Sequence, residues 1–303
     1  MKFAYFQGKI VPFEEAKISV MTHAFNYGTG VFEGIRAYWN DKDKQLYVLK
    51  MKEHYERFLK SCKILNIDIK KSVKELIDIT TELIKKNGYK EDVYIRPLAY
   101  KSSVKIGVRL HDLEDDFTIY MSPFGDYLDV SKGIRCCVSS WTRIDDTMIP
   151  ARGKITGIYV NSAFSKSEAM LNGYDEALVM DSNGHVVEGS AENLFIIRDG
   201  VAITPQVNEN ILEGITRQAL IKMLKEEIKI EVIERAIDRS ELYIADEVFL
   251  CGTGAQVSPV VEIDHKIVAA GKPGEITMKL SKIYFDAVKG INRKYSEWLT
   301  PVY

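Results

Sequence analysis

The chain has 303 residues, of which 46% are hydrophobic and 28% are charged, with 41 basic and 43 acidic residues. This composition is that of a globular protein and excludes a disordered or collagen-like chain. The formal net charge of −2 argues against a dedicated nucleic-acid binder, which needs a surplus of basic residues. No apolar run approaches the about 18 residues of a membrane span, and residues 1–8 lack the apolar core of a signal peptide.

The cysteines and histidines do not predict a metal site. The four cysteines are not spaced like metal ligands, and we interpret them as reduced, buried residues; they are Cys62, Cys136, Cys137 and Cys251. The five histidines are scattered along the chain, and none pairs with a cysteine. These observations predict a protein of the cytoplasm without a metal.

The first part of the chain alternates strands and helices. A turn at Gln7-Gly8-Lys9 between apolar pairs predicts a hairpin over residues 5–11. Helical periodicity predicts helices over residues 52–66 and 71–86, and Asn87-Gly88 is a typical helix end. Strands are predicted at Tyr94–Leu98 and Phe117–Tyr120. Residues 1–124 are therefore predicted to form an α/β domain.

Residues 125–133 have no clear hydrophobic period and are predicted to link this domain to a second one, residues 134–303. The second domain is predicted to mix strands and helices. The predicted strands cover residues 134–138, 177–180, 186–187, 194–197, 201–204 and 248–251. The predicted helices cover residues 160–171, 215–228 and 275–290. Asn183-Gly184 and Asp199-Gly200 are typical hairpin turns, so four of these strands should form an antiparallel meander.

Three segments rich in glycine and threonine are candidates for ligand binding. Residues 213–217 open a helix whose free amides could bind a phosphate, although a plain helix start is the commoner meaning. Residues 252–255 follow an apolar strand and either approach a ligand closely or form a simple turn. Residues 150–157 place Lys154 between two glycines, where a lysine is usually solvated. Each segment alone leaves both interpretations open.

The segment His23–Arg36 resembles the opening signature of branched-chain amino-acid aminotransferases. These are class IV enzymes of fold type IV that use pyridoxal 5′-phosphate (PLP). The similarity continues in the right order through residues 54–57, 94–97, 150–159, 187–195, 214–217 and 252–255, and it is weakest at 38–47 and 101–116. The resemblance implies an α+β fold with two domains, a small N-terminal α/β domain and a larger C-terminal mixed α/β pseudo-barrel.

The resemblance also implies a cofactor site. Lys154 holds PLP as a Schiff base and then serves as the base and acid that moves the substrate proton. Glu188 faces the ring nitrogen and keeps it protonated. Tyr159 binds the phenolic oxygen, and Leu212 packs against one ring face. The phosphate is bound by a guanidinium, two amides and two hydroxyls, which come from Arg57, Ile215, Thr216 and Thr253.

For the substrate, the resemblance implies a site that accepts both an aliphatic side chain and the γ-carboxylate of glutamate. Its aromatic wall consists of Phe32, Tyr127 and Tyr159. The α-carboxylate is received by Tyr94 and by the amides of Gly254 and Ala255. The γ-carboxylate meets Arg96 together with Tyr27 from a second subunit, because the arginine fork orients a carboxylate and stays charged. Tyr94 and Arg96, two residues apart, are expected on the same face of one strand.

The predicted function is therefore ping-pong transamination between L-leucine, L-isoleucine or L-valine and 2-oxoglutarate, giving branched 2-oxo acids and L-glutamate. A D-amino-acid or (R)-amine aminotransferase of the same fold is the alternative, ahead of an aminodeoxychorismate lyase and of a non-catalytic PLP binder. The implied assembly is a homodimer or a higher oligomer up to a hexamer. In it, the loop 101–114 enters the neighbouring subunit's site. Neither a nucleic acid nor a membrane is an expected partner.

Overall fold

The computed structural model describes residues 1–125 and 132–303. In chain order, its strands are β1 (Phe3–Phe6), β2 (Lys9–Pro12), β3 (Gly30–Phe32), β4 (Ile35–Asn40), β5 (Gln45–Leu49), β6 (Val93–Lys101), β7 (Asp115–Pro123), β8 (Ile134–Val138), β9 (Glu176–Met180), β10 (Val186–Gly189), β11 (Asn193–Arg198), β12 (Val201–Thr204), β13 (Val232–Glu234), β14 (Glu247–Gly252), β15 (Gln256–Ile263), β16 (Lys266–Ile267) and β17 (Leu299–Pro301). Its α-helices are α1 (His23–Tyr27), α2 (Met51–Ile64), α3 (Val73–Asn87), α4 (Tyr159–Leu171), α5 (Ile215–Met223) and α6 (Glu275–Val288). Short 3-10 helices cover Phe13–Glu15, Thr156–Ile158, Arg239–Tyr243 and Arg293–Trp298, and a π-helical turn, Leu224–Ile228, extends α5.

The chain divides into two compact units, and the first contains Met1–Gly125, Gly153–Gly157 and Asp286–Tyr303. Its antiparallel sheet has the strand order β17-β5-β4-β6-β7-β1-β2, with β3 also paired to β6. The two short segments join this unit because β17 pairs with β5, and because the amide of Phe32 donates to the carbonyl of Lys154. Both segments belong to the predicted second domain, because long-range pairings of this kind leave no local signal in the sequence.

The elements predicted for the first unit are confirmed. Strands β1 and β2 form the expected hairpin, with Phe6 opposite Lys9. Helix α3 begins with a capping box, in which Ser72 and Glu75 bind each other's backbone amides, and it ends at the left-handed Gly88. Helices α2 and α3 each bury an apolar stripe, and the stripe of α2 includes Tyr55, Phe58 and Cys62.

The second unit contains Asp126–Arg152 and Ile158–Phe285. Six of its strands close into a barrel in the order β10-β9-β8-β15-β14-β11, because β10 pairs with both β9 and β11. Strands β12 and β13 continue from β11, and a buried aliphatic cluster that includes Leu194, Ile196, Val248 and Leu250 fills the core. The predicted pseudo-barrel and the antiparallel meander β9 to β12 are confirmed.

Helix α4 is confirmed, but its predicted apolar stripe faces away from the unit. Val160, Phe164 and Leu171 are exposed, and the Phe164 ring stacks on Trp141. The buried face consists instead of small residues, Ser162, Ser165 and Ala169. Small side chains let α4 pack closely on β9.

All four cysteines are buried and form no disulfide, as expected. Over the described residues, no helix is long and apolar enough to cross a membrane. The predicted linker 125–133 falls mainly on residues 126–131, outside the described residues, as does Tyr127. The division at that linker stays a prediction.

Candidate active site

Lys154 is held by its backbone in the first unit. Its amide donates to Ser61 Oγ on α2 (3.1 Å), and its carbonyl accepts from the amide of Phe32 at the end of β3 (3.0 Å). The next residue, Ile155, forms an isolated bridge with Val31. The Lys154 ammonium lies 5.0 Å from the centre of the Phe32 ring. Three contacts thus fix the backbone of this loop while the side chain extends over an aromatic face.

A buried ion cluster lies beside α2. Glu33, which is 0% exposed, accepts from Arg57 through Nε (2.7 Å) and Nη2 (2.8 Å) and from His54 Nδ1 (2.7 Å). Burial alone would raise the pKa of Glu33, but the Arg57 charge and the His54 hydrogen bond hold it well below its usual range. Burial lowers the pKa of His54. The cluster therefore presents an oriented, permanently charged guanidinium.

Tyr94 and Arg96 share one face of β6, as predicted. Arg96 Nη2 donates to the Tyr94 hydroxyl (2.8 Å), and the guanidinium carbon lies 4.2 Å from the centre of the Phe32 ring. Within the described part of the chain, the buried Arg96 Nε has no hydrogen-bond partner. Gly34 is required beside them, since a Cβ there would lie 2.3 Å from the Tyr94 hydroxyl oxygen. This arrangement offers hydrogen-bond donors suited to a carboxylate.

Tyr27, the last residue of α1, contacts the loop 101–114. Its hydroxyl accepts from the amide of Gly107 (3.1 Å), and His23 Nε2 lies 2.9 Å from the Gly107 carbonyl. The start of the same loop is tied to the neighbouring segment by a bridge between Thr22 and Val104. Tyr27 and the loop tip are therefore held together as one structure.

In the second unit, Glu188 is the centre of a buried polar cluster. Its Oε1 accepts from Asn193 Nδ2 (2.9 Å) and from the amide of Leu212 (2.8 Å). Its Oε2 lies 3.0 Å from Arg143 Nη2. Asn193 also donates to the Leu212 carbonyl (3.0 Å), so this amide joins β11 to the loop before α5. The carboxylate has a fixed orientation.

The start of α5 matches the predicted anion site. Gly214 is the N-cap, and Ile215 and Thr216 are the first helical residues, with Thr216 buried. A Cβ on Gly214 would lie only 1.9 Å from Asn193 Oδ1, so only glycine allows this close approach. The first amides of a helix have no partners within it and favour an anion.

Thr253, Gly254 and Ala255 form the turn between β14 and β15. The Ser258 hydroxyl donates to the Ala255 carbonyl (2.7 Å), which pins the end of the turn. Tyr159 is the first residue of α4. The predicted site residues thus form two sets, one in each unit: Lys154, Arg57, Phe32, Tyr94, Arg96 and Tyr27 in the first, and Glu188, Leu212, Ile215, Thr216, Thr253, Gly254, Ala255 and Tyr159 in the second.

A second buried glutamate lies near Glu188. Burial, together with the negative charge of Glu176, raises the pKa of Glu192 to about 8, so this group is protonated at neutral pH. Its Oε2 accepts from the amide of Ala191 (3.0 Å), whereas Glu176 is paired with Lys166 (2.6 Å). Burial thus favours the neutral form of the Glu192 carboxyl group.

Glu33, His54, Arg143 and Asn193 are not among the site residues predicted from the sequence. Glu33, His54 and Asn193 lie inside the segments that carry the resemblance, so their position in those motifs was an available signal. Arg143 lies outside all of them. Its contact with Glu188 spans 45 residues of sequence and becomes visible only in the fold.

Comparison with known proteins identifies the family. A family model described as amino-transferase class IV matches residues 30–263. The chain belongs to the class IV aminotransferase family. It is 56% identical to the probable branched-chain-amino-acid aminotransferase of Aquifex aeolicus (strain VF5), over 100% of this chain and 97% of that relative.

Solved structures of this family agree with the assignment. The branched-chain aminotransferase of Thermoproteus uzoniensis, solved with norvaline, is 44% identical and superimposes with a TM-score of 0.95 over 99% of each chain. The branched-chain amino acid aminotransferase of Thermobaculum terrenum, in PLP-form, is 38% identical with a TM-score of 0.95, over 100% of this chain and 98% of that one. The family resemblance of the sequence and the two-domain α+β fold are thus confirmed.

Proposed function

We propose that this class IV aminotransferase uses PLP to transfer amino groups between branched-chain L-amino acids and 2-oxoglutarate. The observation that carries the proposal is the combination of Lys154, whose backbone is fixed beneath an aromatic face, with the oriented carboxylate of Glu188. Relatives named branched-chain aminotransferases support the branched-chain substrate class. The products are branched 2-oxo acids and L-glutamate, formed in two half-reactions.

The residues present fit PLP. The group carries an aldehyde, a ring nitrogen and a phosphate dianion, and it supplies an electrophile with an electron-accepting ring. The chain offers a matching set of groups: a lysine amine, a carboxylate, a guanidinium, the first amides of α5, and the hydroxyls of Thr216 and Thr253. Gly214 supports the phosphate assignment, because its missing Cβ lets the backbone at the start of α5 lie against Asn193, and the first amides of a helix favour an anion.

In the proposed reaction, Lys154 would hold PLP at its aldehyde group, and the Lys154 Nζ would move the proton at the substrate Cα. Glu188 holds a proton at the ring nitrogen. Arg57, Ile215, Thr216 and Thr253 bind the phosphate, Tyr159 binds the phenolic oxygen, and Leu212 packs on the ring.

Substrate recognition is proposed to use both sets of residues. Tyr94 and the amides of Gly254 and Ala255 receive the α-carboxylate. Arg96, whose buried Nε has no partner in the described part of the chain, receives the γ-carboxylate of glutamate or 2-oxoglutarate. Phe32 provides apolar surface beneath the guanidinium, and Tyr127 and Tyr159 complete the proposed wall. An aliphatic side chain and a carboxylate can then use the same site alternately.

The proposed assembly is a homodimer in which Tyr27 serves the partner's site. Two adjoining segments of the first unit expose apolar side chains, and we refer to them as the apolar patch: Ile18, Val20, Met21, Phe25, Val104, Ile106 and Val108. Contiguous apolar surface of this kind typically marks an interface. The outward stripe of α4 supports a further contact in assemblies up to a hexamer. The four free, buried cysteines support a reducing, cytoplasmic location.

The assembly is tested by light scattering of the Ile106→Asp/Val108→Asp protein. We expect a monomer, while the control Ile267→Asp, which places a charge on another exposed apolar residue, keeps the native mass. A dimeric double variant would show that the patch is not the interface.

The function is tested by borohydride trapping and half-reaction spectra. Borohydride is expected to fix the cofactor to the peptide that contains Lys154 and not in Lys154→Ala, whereas Lys52→Ala, at an exposed lysine, labels normally. L-leucine should change the cofactor absorbance, whereas D-alanine and (R)-1-phenylethylamine should not. Label on another lysine would overturn the site, and a response to D-alanine alone would favour the D-amino-acid alternative.

A further inference from the structure

Arg143 is a buried arginine without a role in the proposed reaction. It is 9% exposed, and its Nη2 lies 3.0 Å from Glu188 Oε2. Its amide donates to the Met180 carbonyl at the end of β9 (2.8 Å), and its Nε donates to the Asn210 carbonyl (3.2 Å). Hydrogen bonds therefore hold both the backbone and the guanidinium of Arg143 beside Glu188.

A second layer of contacts holds Asn210 in place. Asn210 adopts a left-handed backbone conformation with φ of 56°. Its side chain accepts from the amide of Asp146 (3.1 Å) and donates to Asp145 Oδ2 (3.2 Å). These bonds tie the segment after Arg143 to the loop that carries Leu212, whose amide is another partner of Glu188. The whole arrangement converges on one carboxylate.

The charges around Glu188 determine where a proton resides. A buried carboxyl group without a counter-charge favours its neutral form. Arg143 provides the adjacent positive charge at Oε2, while Oε1 accepts two N–H groups that suit an ionised acceptor. Burial and the charge of Glu176 raise the pKa of Glu192, the other nearby carboxyl group, and so favour its neutral form.

We propose that Arg143 is a positioning residue that keeps Glu188 ionised and correctly oriented, so that the proton shared with the cofactor ring lies on the ring nitrogen. This inference rests on the proposed function, which places Glu188 opposite that nitrogen. Without the guanidinium, the proton moves from the nitrogen to the Glu188 carboxylate; no proton is gained or lost by the pair. The ring then accepts electrons less readily, although binding of the phosphate and of the substrate is unchanged.

The test measures the ring-nitrogen proton directly, in resting protein reconstituted with PLP labelled with nitrogen-15 in the ring. The nitrogen-15 chemical shift distinguishes a protonated nitrogen from a neutral one without turnover. We expect a protonated nitrogen in the wild type and in Arg143→Lys, which keeps the charge. We expect a neutral nitrogen in Arg143→Met and Arg143→Gln. The matched control is Arg198→Met, which removes an arginine paired with a different glutamate, Glu241, in the same unit.

Kinetics provide the second readout. In Arg143→Met, kcat with L-leucine should fall roughly 10- to 100-fold with KM nearly unchanged, the pattern for a residue that orients a group at a reaction centre. Arg143→Lys should recover most of the loss. Urea unfolding of the apoproteins identifies any variant that does not fold, in which case Arg143→Gln replaces Arg143→Met.

Glu188→Gln separates the two hypotheses. If its ring nitrogen is still protonated, Glu188 does not face the nitrogen and the proposed site is wrong. If Glu188→Gln is neutral but the uncharged Arg143 variants remain protonated with native kcat, the site stands and the role of Arg143 is refuted. A lysine variant as impaired as the methionine variant would also refute it, because the charge would then not be the active property.

Discussion

Replacing Glu33 by glutamine tests whether the buried ion cluster orients Arg57. Glu33 is fully buried and accepts three hydrogen bonds of 2.7–2.8 Å, two from the Arg57 guanidinium and one from the His54 imidazole. Glutamine has the same shape, but its amide group cannot accept from Arg57 where the second carboxylate oxygen did. Removing one partner from a buried ion pair typically lowers the free energy of unfolding by about 3–5 kcal/mol. We expect a loss of this size in the apoprotein, together with weaker PLP binding.

The assay is urea unfolding of the apoprotein at pH 7, followed by fluorescence titration with PLP. The matched control is Glu53→Gln, which removes a carboxylate paired with Lys50 at 2.6 Å but 40% exposed at its side chain. Because the Glu53 carboxylate is partly exposed to solvent, its loss should cost less than the loss of the fully buried Glu33 carboxylate. If Glu33→Gln unfolds at the same urea concentration as Glu53→Gln and binds PLP equally well, the cluster neither stabilises the unit nor orients Arg57.

The pH dependence gives an independent check on Glu33. Its pKa is lower in the folded protein than the usual 4.5, so its stabilisation is complete above that value. The stabilisation is lost as the pH falls toward the folded-state pKa. The difference in unfolding free energy between the wild type and Glu33→Gln should therefore be constant at neutral pH and shrink below about pH 4.5. A difference that grows on acidification would contradict this assignment.

Three other substitutions have defined outcomes. Gly34→Ala places a methyl group against the Tyr94 hydroxyl. It should raise KM for both substrates roughly tenfold, which corresponds to the loss of one charge-assisted hydrogen bond. Unchanged steady-state constants would contradict this prediction. Arg96→Met should weaken 2-oxoglutarate far more than L-leucine, by about 100-fold in kcat/KM; an equal loss for both would show that Arg96 does not meet the γ-carboxylate. Glu192→Gln should flatten the stability profile, because a carboxyl group whose pKa is raised to about 8 makes the wild type less stable as the pH rises from 4.5 to 8. Urea unfolding at pH 5 and pH 8 measures this, and an equally steep profile in the variant would refute it.

The sequence predicted those elements whose signals are local. Helix α3 has its capping box and its Asn87-Gly88 end within the helix sequence itself, and the β1–β2 hairpin has its turn between two apolar pairs. Strand β15 was not predicted, because its residues are buried almost continuously and include Pro259, so no alternation marks them. The segments 153–157 and 286–303 were grouped by sequence proximity, whereas β-pairing decides where they pack.

Helix α4 shows a different limit of periodicity. Its apolar stripe predicts a helix correctly, but the stripe is exposed and the small residues Ser162, Ser165 and Ala169 are buried. Periodicity reports that two faces differ and does not report which face the protein covers. In a chain that assembles with copies of itself, an apolar face can be kept for that contact.

The site residues also differ in whether the local sequence predicts them. Residues that would touch the cofactor or substrate, such as Lys154 and Arg96, lie in motifs that the resemblance carries. The groups that orient Arg57 and Glu188 are distant from them in sequence: Glu33 binds Arg57 across 24 residues, and Arg143 binds Glu188 across 45. Arginine and glutamate are common surface residues, and the sequence around them does not indicate that they are buried. A buried charge is stable only beside its partner. For that reason the three-dimensional pairing, and not the motif, determines the protonation state on which the proposed chemistry depends.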